Sequence, residues 1–322
     1  MTARQLVFTR PGSVELQTVN LPDPREGEVL VETAMSGISA GTERLLWRGE
    51  FPRDILLDDG IPALRRPAAY PCPYGYDLVG RIPGRRGLVL TFHPHADRAV
   101  VPEDAVHPLP PTWPPELGVL LPNAETALNL VLDAAPRVGE RVVVFGLGVV
   151  GLLTAGLLTE FPLDRLVAAD PSPERRDRLA AAPHVVALDP AEAAEAVGPD
   201  GADLVLELSG QPGALQAAVD LAGYSGRIIV GSWYGGKTLD LDLGARFHRR
   251  RLSLVSSQVS TLAPELRGRW THRRRMEAAI ARLDGWASSD WVTHRFPLDR
   301  AAEAYRLIDG GAASWLQVVL HP

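Results

Sequence analysis

One cysteine, Cys72, stands in 322 residues, which excludes an internal disulfide and any multi-cysteine zinc site. Basic residues are not in excess: 33 Lys and Arg face 39 Asp and Glu, and the net charge is −6 with a pI near 5.8. That balance offers no electrostatic footprint for nucleic acid. No apolar run approaches the roughly 18 residues of a membrane span. The opening MTARQLVFTRPG reads as a strand and a turn, not as a signal peptide. A cytoplasmic protein is expected, with no membrane or nucleic acid among its partners. The local arginine runs, Arg249 to Arg251 and Arg273 to Arg275, read as solvated helix faces or C-terminal turns. What is present, 46% apolar and 22% charged residues, suits a globular chain long enough for two domains.

The most informative stretch is Arg141 to Gly156. Val142, Val143, Val144 and Phe145 form an unbroken apolar run of the kind buried on both faces of a sheet. Gly146-Leu147-Gly148-Val149-Val150-Gly151 follows, and then Leu152, Leu153, Ala155 and Leu157 at helical spacing. A strand, a glycine turn and a helix start together make an anion site. Glycines let backbone approach a pyrophosphate, and the helix N-terminus supplies free N–H groups. Gly146, Gly148, Val149, Val150 and Gly151 are therefore candidate pyrophosphate contacts. Asp170, 19 residues beyond Gly151 and just after the apolar run Leu166 to Ala169, stands where a dinucleotide fold places its ribose-binding carboxylate. A carboxylate there disfavours an extra phosphate, so NAD is expected over NADP. Arg175, five residues on, is placed to stack on adenine or to weaken that preference.

Before this stretch, residues 1 to about 123 are rich in Pro and Gly. They carry short strand-like runs at Gln5 to Phe8, Val14 to Val19, Glu28 to Thr33, Leu88 to Phe92 and Ala99 to Val101. An irregular antiparallel, barrel-like domain is expected, followed by a stiff Pro108–Pro115 connector. Glu116 to Ala134 predicts one or two helices. From Arg141 strands are predicted at 141–145, 166–169, 184–188, 203–208 and 226–231, with helices at 148–160, 173–182, 190–197 and 212–222 between them. This alternation predicts a parallel doubly wound sheet, with Arg251 to Val255 as its sixth strand. Helices at Arg273 to Leu283 and Leu298 to Ile308 and a strand at Leu316 to Leu320 close the chain. The expected domains are 1–123 with 259–322, and an inserted 124–258.

The Ser36-Gly37-Ile38 turn, Gly75-Tyr76-Asp77-Leu78-Val79-Gly80, Pro122-Asn123-Ala124-Glu125-Thr126-Ala127, the glycine motif and the ending Gln317-Val318-Val319-Leu320 form a recognisable set. In these motifs and in its order of domains, nearly the whole chain resembles the medium-chain dehydrogenase/reductase superfamily. Ser36 to Leu46 with Arg48-Gly49-Glu50 looks most like the bacteriochlorophyllide hydroxyethyl dehydrogenase group. The resemblance implies an α/β fold: a Rossmann doubly wound parallel sheet plus an irregular β-rich GroES-like catalytic domain. It implies a nicotinamide cofactor, a small-molecule substrate and a homodimer formed through the nucleotide domains. It also implies that Thr126 contacts the nicotinamide, and that Ser209, Gly210, Gly231, Ser232 and Trp233 border its ribose and ring.

Zinc members of the superfamily hold their metal with a Cys after the Gly-Ile turn, a His in Gly-His-Glu and a Cys or Glu further on. The matching positions here are Ser39, Tyr76 and Asn123, which form a poor zinc donor set. A zinc-independent enzyme is expected, and another group must then handle the proton. Tyr76 is the first candidate, with Ser39 and Thr42 on what reads as the same loop; aromatic packing and turn capping are the plain alternatives. Glu43 and Asp77 read as supporting carboxylates, with exposed or helix-capping roles as the plain alternative. His93 and His95 read as cleft-lining or as a surface loop. Trp47, Phe51, Trp233 and Tyr234 are either a substrate wall or core. The expected activity is hydride transfer between nicotinamide and a secondary alcohol or its ketone. An enoyl or quinone reductase and a catalytically inactive nucleotide-binding protein are the alternatives.

Overall fold

The computed structural model describes residues 1–52, 54–179, 182, 184–311 and 315–322. The chain divides into two compact units, Met1–Pro122 with Ala287–Pro322, and Asn123–Trp286. Among the described residues no helix is long and apolar enough to cross a membrane.

The first unit opens with β1 (Thr2–Arg10) and β2 (Ser13–Asn20), an antiparallel hairpin turning at Pro11-Gly12. The long β3 (Glu28–Ile38) follows, and then α1 (Ala40–Arg48). Next come β4 (Cys72–Pro73), β5 (Leu78–Arg81), β6 (Val89–Thr91), β7 (Arg98–Pro102), β8 (Val106–Pro108) and the short α2 (Pro115–Gly118). Helix α1 corrects the sequence reading, which places Ser39 and Thr42 on a loop. Ser39 directly precedes the helix and Thr42 lies in its first turn. The Glu43 carboxylate accepts the Ser39 N–H at 2.7 Å and so satisfies one of the helix's unpaired donors. Gly49, at φ 72°, ends the helix. Its apolar stripe, Leu45, Leu46 and Trp47, is buried.

The second unit contains α3 (Leu121–Ala134), β9 (Arg141–Phe145), α4 (Val149–Leu158), β10 (Arg165–Ala169), α5 (Pro173–Asp177), β11 (Val185–Leu188), α6 (Ala193–Val197), β12 (Ala202–Glu207), α7 (Pro212–Leu221), β13 (Ala222–Val230), β14 (Ser253–Ser256) and α8 (His272–Trp286). Six strands pair in parallel in the order β11-β10-β9-β12-β13-β14. Counted within the unit this is 3-2-1-4-5-6, whose reversal lies between β9 and β12. Val142, Val143 and Val144 have no exposed surface, as a central strand covered on both faces requires. Each such side chain contributes about 1.5–3 kcal/mol by burial. The helix predicted over 173–182 ends at Asp177, and residues 180 and 181 lie outside the described residues.

The expected return at 259 comes later. Segment 259–286 stays with the second unit, because α8 is tied into it at both ends. Arg275 is 2% exposed and donates to Glu125 and Asn129 of α3. At the other end the Trp286 ring lies against Gly156 of α4, where an added Cβ would come within 3.3 Å of it. The run Arg273 to Arg275 is thus not uniformly a solvated face: Arg273 is exposed and Arg275 is core.

After Trp286 the chain adds β15 (Val292–Pro297), α9 (Ala301–Asp309) and β16 (Gln317–His321) to the first unit. Its larger sheet runs β15-β16-β3-β5-β6-β8, with β7 also on β3; β2-β1-β4 form a second, smaller sheet. Tyr305 of α9 is the centre of this core. Its ring stacks on Trp47 at 5.5 Å and meets the edge of Phe8 at 5.1 Å. Trp47 and Phe51 are therefore core.

Candidate active site

In the second unit the glycine turn sits at the C-terminal end of β9, at the strand-order reversal. Gly146 has φ +93°, and a Cβ on it would lie 2.7 Å from the Ser209 backbone. A Cβ on Gly151 would come within 1.8 Å of Gly146 O, so the turn closes only with glycine there. Gly148 differs. It precedes α4, no side chain caps that helix, and a Cβ on Gly148 would meet nothing within 4 Å. The start of α4, whose first residues are Val149 and Val150, thus has free space beside Gly148, the arrangement a pyrophosphate fits.

Asp170, 3% exposed, accepts Leu147 N–H at 2.7 Å and Ser172 N–H at 2.9 Å. It therefore ties the end of β10 to the glycine turn. Arg175 Nη1 lies 3.7 Å from its Oδ2. At the end of β12, Glu207 is fully buried. It accepts Ser209 N–H (2.7 Å), Ser209 Oγ–H (2.5 Å), Gly210 N–H (3.1 Å) and Tyr234 O–H (2.6 Å). Ser232 Oγ accepts Gly210 N–H at 2.8 Å, and Gly231 N–H donates to Glu207 O at 3.0 Å. Gly146, Asp170, Ser209, Gly210, Gly231 and Ser232 thus gather at the ends of β9, β10, β12 and β13. Trp233 is 38% exposed. Thr126 lies on α3, one residue after Glu125. Burial raises the Glu125 carboxyl above its ordinary range, and Arg275 opposes the rise.

In the first unit Tyr76, Ser39 and Thr42 come together. The Tyr76 phenol donates to Ser39 Oγ. Burial pushes its pKa up to about 12, with the Ser39 and Thr42 hydroxyls pulling the other way. At neutral pH it is therefore a proton donor and not a base. Behind this pair Glu43 and His95 are both 0% exposed. Glu43 is thus a buried helix-capping carboxyl and not an exposed one, and His95 lies neither on a surface loop nor along a cleft. His95 Nε2 is 2.9 Å from Glu43 Oε2, and Tyr305 O–H donates to the same oxygen at 2.5 Å. His93 is half-buried and faces Pro94 O at 2.8 Å. Asp77 is 3% exposed, and burial, reinforced by the Glu43 charge, raises its pKa well above the carboxylate range. Ser39 and Tyr76, like Asn123 of the other unit, offer neutral hydroxyl and carboxamide donors, so these residues do not fit zinc. Among the described residues no group of three or more His, Cys, Asp or Glu is arranged to hold a metal.

Sequence reasoning does not single out Tyr305, Glu207 or Arg275. Glu207 carries a signal that was there to use, since a carboxylate ending the apolar run Leu204 to Leu206 needs buried donors. No family model matches the chain. It is 26% identical over 338 residues to 2-desacetyl-2-hydroxyethyl bacteriochlorophyllide A dehydrogenase of Rhodobacter capsulatus, covering 95% of this chain and 94% of that one. It is 27% identical over 344 residues to L-threonine 3-dehydrogenase of Saccharopolyspora erythraea, covering 96% of each. An Escherichia coli alcohol dehydrogenase solved with NADH superposes with a TM-score of 0.76 at 18% identity, over 100% of this chain and 99% of that one. Over nearly its whole length the chain is similar to dehydrogenases of the medium-chain dehydrogenase/reductase type.

Proposed function

We propose that the protein is a zinc-independent, NAD-linked dehydrogenase/reductase that interconverts a secondary alcohol and its ketone. The observation that carries this reading is the Tyr76–Ser39 hydrogen bond, standing at two positions where zinc members of the superfamily have metal ligands. The names of both sequence relatives describe dehydrogenation, and one structural neighbour holds NADH. These support alcohol oxidation over reduction of a C=C bond.

A bound nicotinamide supplies the hydride acceptor or donor. In the second unit Gly146, Gly148 and Gly151 leave room for a pyrophosphate, the first amides of α4 face it, and Asp170 receives the ribose hydroxyls. Thr126, Ser209, Gly210, Gly231, Ser232 and Trp233 border the nicotinamide end, and Arg175 the adenine end. In the first unit Tyr76 already donates to Ser39 Oγ, so Ser39 has its own hydrogen to give. Ser39 bonds the substrate carbonyl oxygen, and the Tyr76 proton follows through Ser39 as the alcohol forms. Oxidation runs the same protons in reverse and starts from the ionised phenol, so it gains as pH rises toward the Tyr76 pKa of about 12; Thr42 supports the phenol. The protein is proposed to be cytoplasmic, where its single buried thiol, Cys72, stays reduced. A homodimer is proposed through β14, the outer strand of the parallel sheet.

The test is turnover of Tyr76→Phe with a panel of secondary alcohols, before and after dialysis against chelator. We expect kcat to fall by roughly 10²-fold or more, with cofactor affinity unchanged and the wild type indifferent to chelator. An unchanged kcat removes Tyr76 from the chemistry, and one tightly held zinc per chain refutes zinc independence. Titrations with NADH and NADPH, followed by nucleotide fluorescence, complete the test; tighter NADPH binding would overturn the role given to Asp170.

A further inference from the structure

The buried groups behind Ser39 form a chain whose protons the geometry counts. Ser36 Oγ lies 2.6 Å from Asp77 O and 2.6 Å from His95 Nδ1. A carbonyl oxygen only accepts, so the Ser36 hydrogen goes to Asp77 O. The Ser36 oxygen is then the acceptor for His95, and Nδ1 carries a hydrogen. At the other end of the ring, Nε2 faces Glu43 Oε2 at 2.9 Å, which needs one further proton between imidazole and carboxyl. Tyr305 O–H fills a second lone pair of Glu43 Oε2 at 2.5 Å. That leaves Glu43 Oε1 for the backbone N–H of Ser39 at 2.7 Å.

We infer that Glu43, fixed by His95 and Tyr305, is a positioning residue that clamps the Ser39 backbone so that its hydroxyl stays on the Tyr76 phenol. The inference rests on the proposed role of the Ser39–Tyr76 pair. Three partners from separate parts of the first unit converge on one carboxyl group, and Glu43, His95 and Tyr305 are 0%, 0% and 1% exposed. A buried carboxylate with all its partners in place is rigid, because losing any one of them leaves an unsatisfied polar group. The partners are themselves immobile. Tyr305 is held between Trp47 and Phe8. The His95 ring lies where a Cβ on Gly75 would come within 2.5 Å of it. Gly75, at φ +105°, directly precedes Tyr76, so the seat of the histidine ring and the approach to the phenol share one backbone position.

Hydrogen exchange at amides 39–43, read by mass spectrometry beside turnover, tests the clamp in Glu43→Gln and Tyr305→Phe. Tyr305→Phe keeps the ring packing and carries the test where Glu43→Gln does not fold. We expect exchange at these amides to rise roughly tenfold or more, with the rest of 1–122 unchanged. Turnover should fall by roughly tenfold with the KM for cofactor unchanged. Wild-type exchange at 39–43 in the folded variants overturns the inference, and so does raised exchange with undiminished turnover. A wild-type protein that oxidises no alcohol fails the Ser39–Tyr76 reading separately, and the exchange rates still decide whether Glu43 clamps Ser39.

Discussion

Asp77 is a carboxyl group the protein keeps out of water. Its Oδ1 has no hydrogen-bond partner among the described residues, and burial followed by the Glu43 charge holds its pKa well above the usual range. The sign of the consequence is fixed. Above the ordinary carboxylate pKa of about 3.9 the unfolded chain gives up this proton while the folded one keeps it. Asp77 therefore costs stability progressively as pH rises from there through the folded pKa. Asp77→Asn removes that loss. The melting temperature of the variant, taken relative to wild type, should climb by a few degrees between pH 4 and pH 8, and a difference flat across that range would sink the assignment. At this scale position in a motif was readable: Ser39 and Tyr76 stand where the superfamily keeps ligands. Partners far off in the chain were not. Glu43 and Tyr305 are 262 residues apart, and no local pattern in either segment announces the other.

Among the elements, α8 shows how a helix declares its allegiance through one side chain. Arg275 Nε donates to Glu125 Oε1 at 3.0 Å, Nη1 to Asn129 Oδ1 at 2.6 Å and Nη2 to Val259 O at 2.5 Å. Removing one partner of such a buried pair costs about 3–5 kcal/mol, because the other charge is left unpaired. A fragment spanning 123–286 should accordingly melt cooperatively, and one cut at 258 should not. Equal melting of the two fragments, followed by circular dichroism, would show α8 to be dispensable. The strands of the parallel sheet were legible because burial on both faces writes continuous apolar runs such as Val142 to Phe145. The short strands Cys72–Pro73 and Val106–Pro108 were not, since two or three residues have no period and owe their strand form to the neighbours they bond. Helix α1 was missed because Gly41-Thr42 signals a turn and the donor-satisfying contact comes from Glu43.

For the molecule as a whole the open question is its outer edge. Strand β14 ends the six-stranded sheet, and Leu254 and Val255 on it are 40% and 39% exposed. Apolar edge strands invite pairing with another chain. A second copy there gives twice the 34.8 kDa chain mass by light scattering, and Leu254→Lys should return it to one. A wild-type monomer would end the proposal.

Asp170 has one more effect. Its carboxylate already holds Leu147 N–H of the glycine turn at 2.7 Å. The turn is thus ordered by the protein's own contacts, and its conformational entropy is lost at folding and not on encounter with a ligand. Whatever enters beside Gly148 meets a preorganised surface, so little of its binding energy is spent on ordering the loop.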